Sequence, residues 1–250
     1  MDDQLDNLRS LRHILVGGDV LSVPHIKRAF RVLGPGVLIN GYGPTENTTF
    51  TTCLPIDDLS AIKGSVPIGR PLNNTTVYVL DENLQPVPIG HNGELCTGGD
   101  GVALGYWKRA DLTNDRFIDD PYSTRSGAKL YKTGDMVRWL PNGTIEFIGR
   151  TDDQVKVRGF RIELGEIENA ISQLEEVKDN VVVVRKDLTG EKQLVAYLVP
   201  QVQNGPNGDD SVQEALTGTV REHLRNSMPA YMLPTAFMVL DALPLNANGK

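Results

Sequence analysis

The run Asn40-Gly41-Tyr42-Gly43-Pro44-Thr45-Glu46 puts an aromatic ring, a hydroxyl and a carboxylate on one glycine- and proline-rich loop. A tyrosine ring can stack on a nucleobase, a threonine hydroxyl can bond a phosphate oxygen, and a glutamate can hold a magnesium ion. Together they make a nucleotide-sized constellation. Just before it, Val37 to Ile39 is a short apolar stretch of strand type, so the loop is expected where a buried strand ends and the backbone turns outward. Ligands of open α/β sheets bind at that end of the strands. A tight turn around a core tyrosine would use the same residues, and the heptapeptide alone does not separate the two readings.

Such a loop needs elements to hold it, and several are legible. Leu11 to Val16 reads as a buried strand running into Gly17-Gly18, and Pro24 to Leu33 as a helix stopped by Gly34-Pro35-Gly36; with Val37 to Ile39 they form a βαβ element. Glu46 to Thr52 and Thr75 to Leu80 are rich in threonine, valine and aromatics and read as strand, joined through a turn-laden connector from Asp81 to Gly93. Glu94 to Thr97 is a further short strand, followed by Gly98-Gly99-Asp100-Gly101, and Arg109 to Phe117 has helical character with a polar face. Met136 to Leu140 and Thr144 to Ile148 flank Pro141-Asn142-Gly143, a hairpin signal, with the hairpin ending at Gly149.

At Arg150 to Gly159 charged and polar residues replace the apolar alternation, and a domain hinge is expected there. The remainder reads as helix (Leu164 to Leu174), two strands (Asn180 to Lys186, Gln193 to Val199), a Gly/Asn/Asp-rich loop (Asn204 to Asp210) of disordered composition, helix (Val212 to Asn226) and a last strand near Phe237 to Leu240. That is a small α+β unit of ~100 residues, a usual size for a domain.

The chain has 250 residues, 40% hydrophobic and 23% charged, the composition of an ordinary soluble protein of one to two domains. Its net charge is -7 with acidic and basic residues interspersed, so no basic stripe invites a nucleic acid. The start of the chain carries Asp2, Asp3 and Asp6, the wrong chemistry for a secretory signal or transit peptide, and no apolar run is long enough to span a bilayer. Cys53 and Cys96 lack metal spacing or a disulfide framework, which fits a reducing cytoplasm, and His13, His25, His91 and His223 lie too far apart in sequence to suggest zinc.

Several later segments match one family in order. Gly93-Glu94-Leu95-Cys96-Thr97-Gly98-Gly99-Asp100-Gly101-Val102-Ala103-Leu104-Gly105-Tyr106 resembles a glycine-rich strand and loop, and Tyr131-Lys132-Thr133-Gly134-Asp135 a ribose-binding motif. The segment from Gly149 through Arg158-Gly159-Phe160-Arg161-Ile162-Glu163-Leu164-Gly165-Glu166 to Glu168 resembles a hinge motif, and Met228 to Pro234 and Pro244 to Lys250 resemble two closing motifs. With the opening loop, these are similar to the amino-acid adenylation domains of nonribosomal peptide synthetases, in the adenylate-forming superfamily. The resemblance implies an α/β plus α+β fold. Residues 1–150 would be the C-terminal portion of the large N-terminal adenylation subdomain, and residues 151–250 the small C-terminal subdomain. The family's phosphate loop and amine-pairing pocket aspartate precede the region seen here, so the chain is expected to be a fragment that is inactive alone.

What the resemblance implies for chemistry is ATP-dependent ligation. An amino acid becomes aminoacyl-AMP and then passes to the phosphopantetheine thiol of a peptidyl carrier protein, in secondary-metabolite biosynthesis beside a condensation domain of the same synthetase. It implies that Asn40 and Gly41 border the adenine edge, Tyr42 stacks on its face, Thr45 contacts the α-phosphate and Glu46 helps hold Mg2+. Asp135, in a Thr-Gly-Asp turn after a strand, would accept both ribose hydroxyls, with Arg150 a second ribose contact and Phe147 beside the nucleoside; local capping, a surface ion pair and hairpin alternation are the plainer roles for these three. Lys250 would stabilise the transition state with its ammonium. Asp152 would be the hinge, with Lys156 and the residues to Gly159 lining the path of the phosphopantetheine arm. Leu15, Gly17, Gly41, Thr49 and Phe50 match substrate-pocket positions, the two glycines leaving room and Leu15 and Phe50 forming an apolar wall, or simply core. Two other readings stand beside this one: an acyl- or aryl-CoA ligase of the same superfamily, and a noncatalytic nucleotide-binding remnant. Arg158-Gly159 and Asn248-Gly249-Lys250 favour the synthetase over the CoA ligase, and intact Glu46, Asp135 and Lys250 speak against the remnant.

Overall fold

The computed structural model describes residues 2–60, 62, 64–151, 154–157, 159–187, 190–201 and 210–244. The chain divides into two compact units, Met1–Asp152 and Asp153–Lys250.

The first unit opens with a 3-10 turn at Asp2–Leu8, followed by β1 (Ile14–Gly17), α1 (Val23–Leu33) and β2 (Leu38–Tyr42). Pro24 sits in the first turn of α1, where its missing N–H costs nothing, and Gly34 takes φ 87° and donates its amide to Phe30 O (2.8 Å), which ends the helix. Ile26, Ala29, Phe30 and Leu33 recur at helical spacing and pack with Leu38 and Ile56 from the neighbouring strands. β1 and β2 pair in parallel, Ile14 with Leu38 through Gly17 with Gly41, so the βαβ element forms as its pattern requires. β3 (Thr52–Pro55) and β4 (Arg70–Pro71) extend this sheet antiparallel in the order β1-β2-β3-β4.

A second, antiparallel sheet follows: β5 (Thr75–Leu80), β6 (Gly93–Gly99), β7 (Phe117–Asp119) after α2 (Ala110–Arg116), β8 (Lys129–Trp139) and β9 (Ile145–Arg150). Its order is β5-β6-β8-β7, with β9 also on β8. The two sheets are strapped together, since Ile68 N donates to Ile145 O and Ile145 N to Gly69 O, both at 2.8 Å. Gly69 has φ +92°, and a Cβ there would lie 2.0 Å from Cys53 O, so only glycine passes. Tyr42 and Ile68 from the first sheet share a buried cluster with Val79, Leu95, Val137 and Ile145 from the second.

The second unit holds a two-stranded hairpin, β10 (Gln154–Val157) with β11 (Phe160–Glu163), then α3 (Leu164–Ile171), β12 (Val177–Lys186), β13 (Lys192–Pro200), α4 (Asp210–Ser227) and β14 (Ala236–Val239). β13 is central, antiparallel to β12 and parallel to β14. One face of α3, Leu164, Ile167, Ala170 and Ile171, meets Val182, Leu194, Leu198 and, from α4, Val220 and Leu224 in an apolar core. Each such side chain fully withdrawn from water contributes roughly 1.5–3 kcal/mol. Among the described residues no helix is long and apolar enough to cross a membrane.

Three expectations change. Glu46 to Thr51 is not strand, and Thr52 alone of that segment enters β3: Thr45–Asn47 is a 3-10 turn, Thr48 and Thr49 take left-handed backbone (φ 48° and 72°), and Thr51 N donates to Tyr42 O, which makes a tight loop. Thr133-Gly134-Asp135 is no turn after a strand but an irregularity inside β8, where Gly134 has φ 72° and the pairing shifts after Glu94 and after Met136. The polar segment Arg150 to Gly159 contains a paired strand, because Val155 and Val157 face a hairpin partner that the charges around them obscure. Of the loop of disordered composition read at Asn204 to Asp210, residues 204–209 lie outside the described residues and Asp210 begins α4.

Candidate functional site

Leaving β2, the chain passes Gly43, where a Cβ would come within 2.6 Å of Thr49 O and Thr51 N, so the loop folds back on its own base. Asn47, 1% exposed, holds it: its amide donates to Thr51 Oγ1 (2.8 Å) and Thr97 Oγ1 (2.9 Å), and Thr97 in turn donates to Thr76 O (3.1 Å). The Gly-rich segment after β6 closes over the other side. Ala103 N donates to Glu46 O (2.8 Å), and Thr48 Oγ1 to Gly101 O (2.8 Å). The Thr45 side chain is left exposed, while Glu46 is partly buried with Oε1 accepting from the Tyr106 hydroxyl at 2.6 Å.

Asp135 is buried opposite Arg150, its register partner across the β8–β9 hairpin, and the two form a salt bridge. Its second oxygen accepts from the Tyr42 hydroxyl. The strand irregularity aims this carboxylate. Thr133 Oγ1 donates to Leu95 O (2.7 Å) and accepts from Asp135 N (3.0 Å), and Gly134 N donates to Glu94 Oε1 (2.9 Å). Burial, and then the Asp135 charge, hold the Tyr42 phenol well above its ordinary pKa, so it stays a donor. Burial followed by the bond to Glu46 raises Tyr106 in the same way. The buried Cys96 thiol is pushed up to about 12 by desolvation and is chemically quiet.

The structure therefore brings Tyr42, Asp135 and Arg150 into contact and leaves Thr45 and Glu46 on the loop that begins at Tyr42. Tyr42 is 6% exposed and its ring packs in the cluster that also engages Phe147. The Asn40 amide, buried, donates to Pro67 O (2.8 Å) and ties β2 to the segment before β4.

The glycines do not leave room. A Cβ at Gly17 would meet Gly41 O at 2.1 Å, and one at Gly41 would meet the Phe50 ring at 2.4 Å, so the space is filled by backbone and by Phe50 itself. Leu15 and Gly17 share the exposed face of β1, Leu15 at 53% exposure, and Thr49 is exposed in left-handed backbone. Lys156 sits mid-strand in β10, paired with Arg161, and its carbonyl accepts from Lys192 Nζ (3.2 Å). Asp152 and Lys250 lie outside the described residues.

Tyr106, Tyr131, Glu94 and Asn47 carry the site's support and had no role assigned from sequence. Tyr106 and Glu94 stand in the glycine-rich motif, but a partner 60 residues away in the chain, as for Tyr106 and Glu46, leaves no local pattern.

Residues 2–107 match the AMP-binding enzyme family, and residues 166–250 match the AMP-binding enzyme C-terminal domain. The chain is 49% identical over 245 residues to surfactin synthase subunit 3 of Bacillus subtilis (strain 168), spanning 98% of this chain and 18% of that protein. It is 47% identical over 241 residues to tyrocidine synthase 3 of Brevibacillus parabrevis, 96% and 4% respectively. Among solved structures it is similar to holo-PA1221, an NRPS protein containing adenylation and PCP domains bound to a vinylsulfonamide inhibitor. The TM-score is 0.83 with 35% identity over 100% of this chain and 41% of that one. The chain thus spans a small fraction of these curated relatives and less than half of the solved one.

Proposed function

The chain belongs to the AMP-binding enzymes, and on that premise we propose that it is part of a nonribosomal peptide synthetase adenylation domain, an ATP-dependent ligase for an amino acid. Residues 1–150 belong to the large subdomain in this reading and residues 151–250 form the small one. A carboxylate oxygen of the amino acid attacks the α-phosphorus of ATP, the bond from that phosphorus to the β-phosphate bridge breaks, and pyrophosphate leaves. A carrier-protein phosphopantetheine thiol then gives up its proton and attacks the acyl carbon, so that a thioester forms and AMP leaves.

The observation that carries the reading is the buried Tyr42–Asp135–Arg150 contact, with Thr45 and Glu46 on the same loop as Tyr42. A carboxylate offers about four lone-pair directions, so Asp135 held by a phenol and a guanidinium keeps acceptor capacity for vicinal ribose hydroxyls in a fixed orientation. Thr45, exposed, donates to the α-phosphate, and Lys250 supplies positive charge as the transition state forms. Magnesium, which is held through one or two carboxylates plus substrate phosphates, would here meet Glu46. Bound there, it would offset charge on the departing pyrophosphate. The partners are a peptidyl carrier protein and a condensation domain, with no nucleic acid or membrane, and the setting is cytoplasmic; net charge -7 is in keeping with that.

The test is amino-acid-dependent ATP–pyrophosphate exchange by the full-length protein, with and without Asp135→Asn. A lost charge-assisted hydrogen bond of about 1.5–3 kcal/mol raises the KM for ATP by roughly 10- to 150-fold while the KM for the amino acid stays put. No exchange with any of the twenty standard amino acids, or an unchanged KM for ATP in the variant, overturns the proposal.

A further inference from the structure

The segment after β6 holds Glu46 twice, once through its backbone and once through its side chain. Ala103 N donates to Glu46 O at 2.8 Å, and three residues on the Tyr106 hydroxyl donates to Glu46 Oε1 at 2.6 Å. From this geometry we propose that Tyr106 is a positioning residue that fixes the Glu46 carboxylate toward the metal–nucleotide; the inference rests on the adenylation reading above.

Tyr106 is itself rigidly mounted. Gly105 before it has φ +141°, and a Cβ there would lie 2.4 Å from Thr113 Cγ2, so the chain can turn against α2 only through glycine. The Tyr106 amide donates to Thr113 Oγ1 (2.9 Å), and its carbonyl accepts from Arg109 N (3.1 Å). Its ring meets Phe117 edge-on at 5.4 Å, and Phe117 lies 5.0 Å from Tyr131, which is wholly buried on β8. A phenol has one proton to give. With that proton directed to Glu46, the Tyr106 oxygen accepts from the Tyr131 hydroxyl at 3.2 Å. The second sheet therefore reaches through two phenols to one carboxylate on the first sheet's loop. A glutamate side chain has several rotatable bonds, and a mounted donor at one oxygen removes most of that freedom before any ligand arrives.

The experiment compares Tyr106→Phe, Glu46→Gln and the double variant in the full-length protein. It reads Mn2+ binding in the presence of ATP by electron paramagnetic resonance, alongside exchange kinetics and the melting temperature. Tyr106→Phe keeps the ring and its packing, so the melt stays near that of the parent, while Mn2+ affinity falls about fivefold or more and the KM for the amino acid does not move. Glu46→Gln has a larger effect, and adding Tyr106→Phe to it changes nothing further, because the hydroxyl acts only through that carboxylate. Normal Mn2+ affinity in Tyr106→Phe beside a defect in Glu46→Gln overturns the role of Tyr106 alone. Normal affinity in Glu46→Gln sinks the metal-bearing part of the functional reading as well. Multiplicative effects in the double variant also refute the proposal.

Discussion

Asn40, Asn47, Thr51, Thr52, Thr97, Thr133, Asp135 and Thr144 are buried in the first unit, whereas in the second Gln154 is the buried polar side chain among the described residues. The core of the second unit is an apolar cluster from Val157 to Met232, with α3 and α4 covering a sheet. The first unit builds its core from apolar clusters too, yet threads Asn47–Thr97–Thr76 and Thr133–Asp135–Arg150 between them. Buried polar groups cost free energy unless every partner is in place, and in return they admit one geometry where apolar packing tolerates several. The difference teaches that the first unit is organised around orientation and the second around burial.

Cutting the Asp135–Arg150 tie should therefore cost the first unit at least as much as a deep truncation costs the second, and a shape-conserving change should cost more at a polar tie than in apolar packing. The largest effect belongs to Arg150→Ala, which leaves the Asp135 carboxylate buried and uncompensated. We expect a loss of about 3–5 kcal/mol in denaturant unfolding followed by tryptophan fluorescence, since Trp107 and Trp139 both lie in the first unit. Adding Asp135→Asn should recover part of it, and a loss no greater than that of an exposed ion pair would erase the contrast.

Next comes Ile167→Ala, wholly buried on α3, at about 2–5 kcal/mol by circular dichroism, with Ile167→Val costing only about 0.5–1.5 kcal/mol. Thr97→Val, nearly the same shape, should cost about 1–3 kcal/mol by taking one of its two acceptors from the Asn47 amide and the hydroxyl donor from Thr76 O. If the valine is tolerated at Thr97 as well as at Ile167, the distinction between the regions fails.

The smallest effect is one of pH. The Tyr42 phenol sits above its ordinary value near 10 in the folded chain, so the unfolded chain loses that proton first. Stability contributed by the protonated phenol is complete below pH 10 and is lost as pH rises from there toward the folded value, by about 1.4 kcal/mol per pH unit. Tyr42→Phe should flatten that alkaline slope in unfolding curves taken between pH 9 and about pH 11.

Much of this was legible from local pattern. The α1 stripe of Ile26, Ala29, Phe30 and Leu33, the Gly34 stop and the Asn142-Gly143 hairpin each depend on neighbours a few residues apart, and all three form. What was not legible depends on pairs far apart. Tyr42 with Asp135 is separated by 93 residues and Tyr106 with Glu46 by 60, so no window of sequence contains both members. The threonines of Glu46 to Thr52 misled because β-branching favours strands, while here their hydroxyls tie a loop together, Thr48 Oγ1 donating to Gly101 O and Thr51 Oγ1 accepting from the Asn47 amide. Gly17 and Gly41 misled for a related reason, since a missing side chain on one strand is invisible as the seat of another residue's ring until the strands are paired.

The strap at Gly69 carries a last consequence. Its two backbone hydrogen bonds, Ile68 N to Ile145 O and Ile145 N to Gly69 O, lash the sheet bearing Tyr42 to the hairpin bearing Asp135, with no tolerance for a side chain at Gly69. Opening along that seam breaks bonds belonging to both sheets, so we expect the Ile68 and Ile145 amides to be released together in hydrogen exchange.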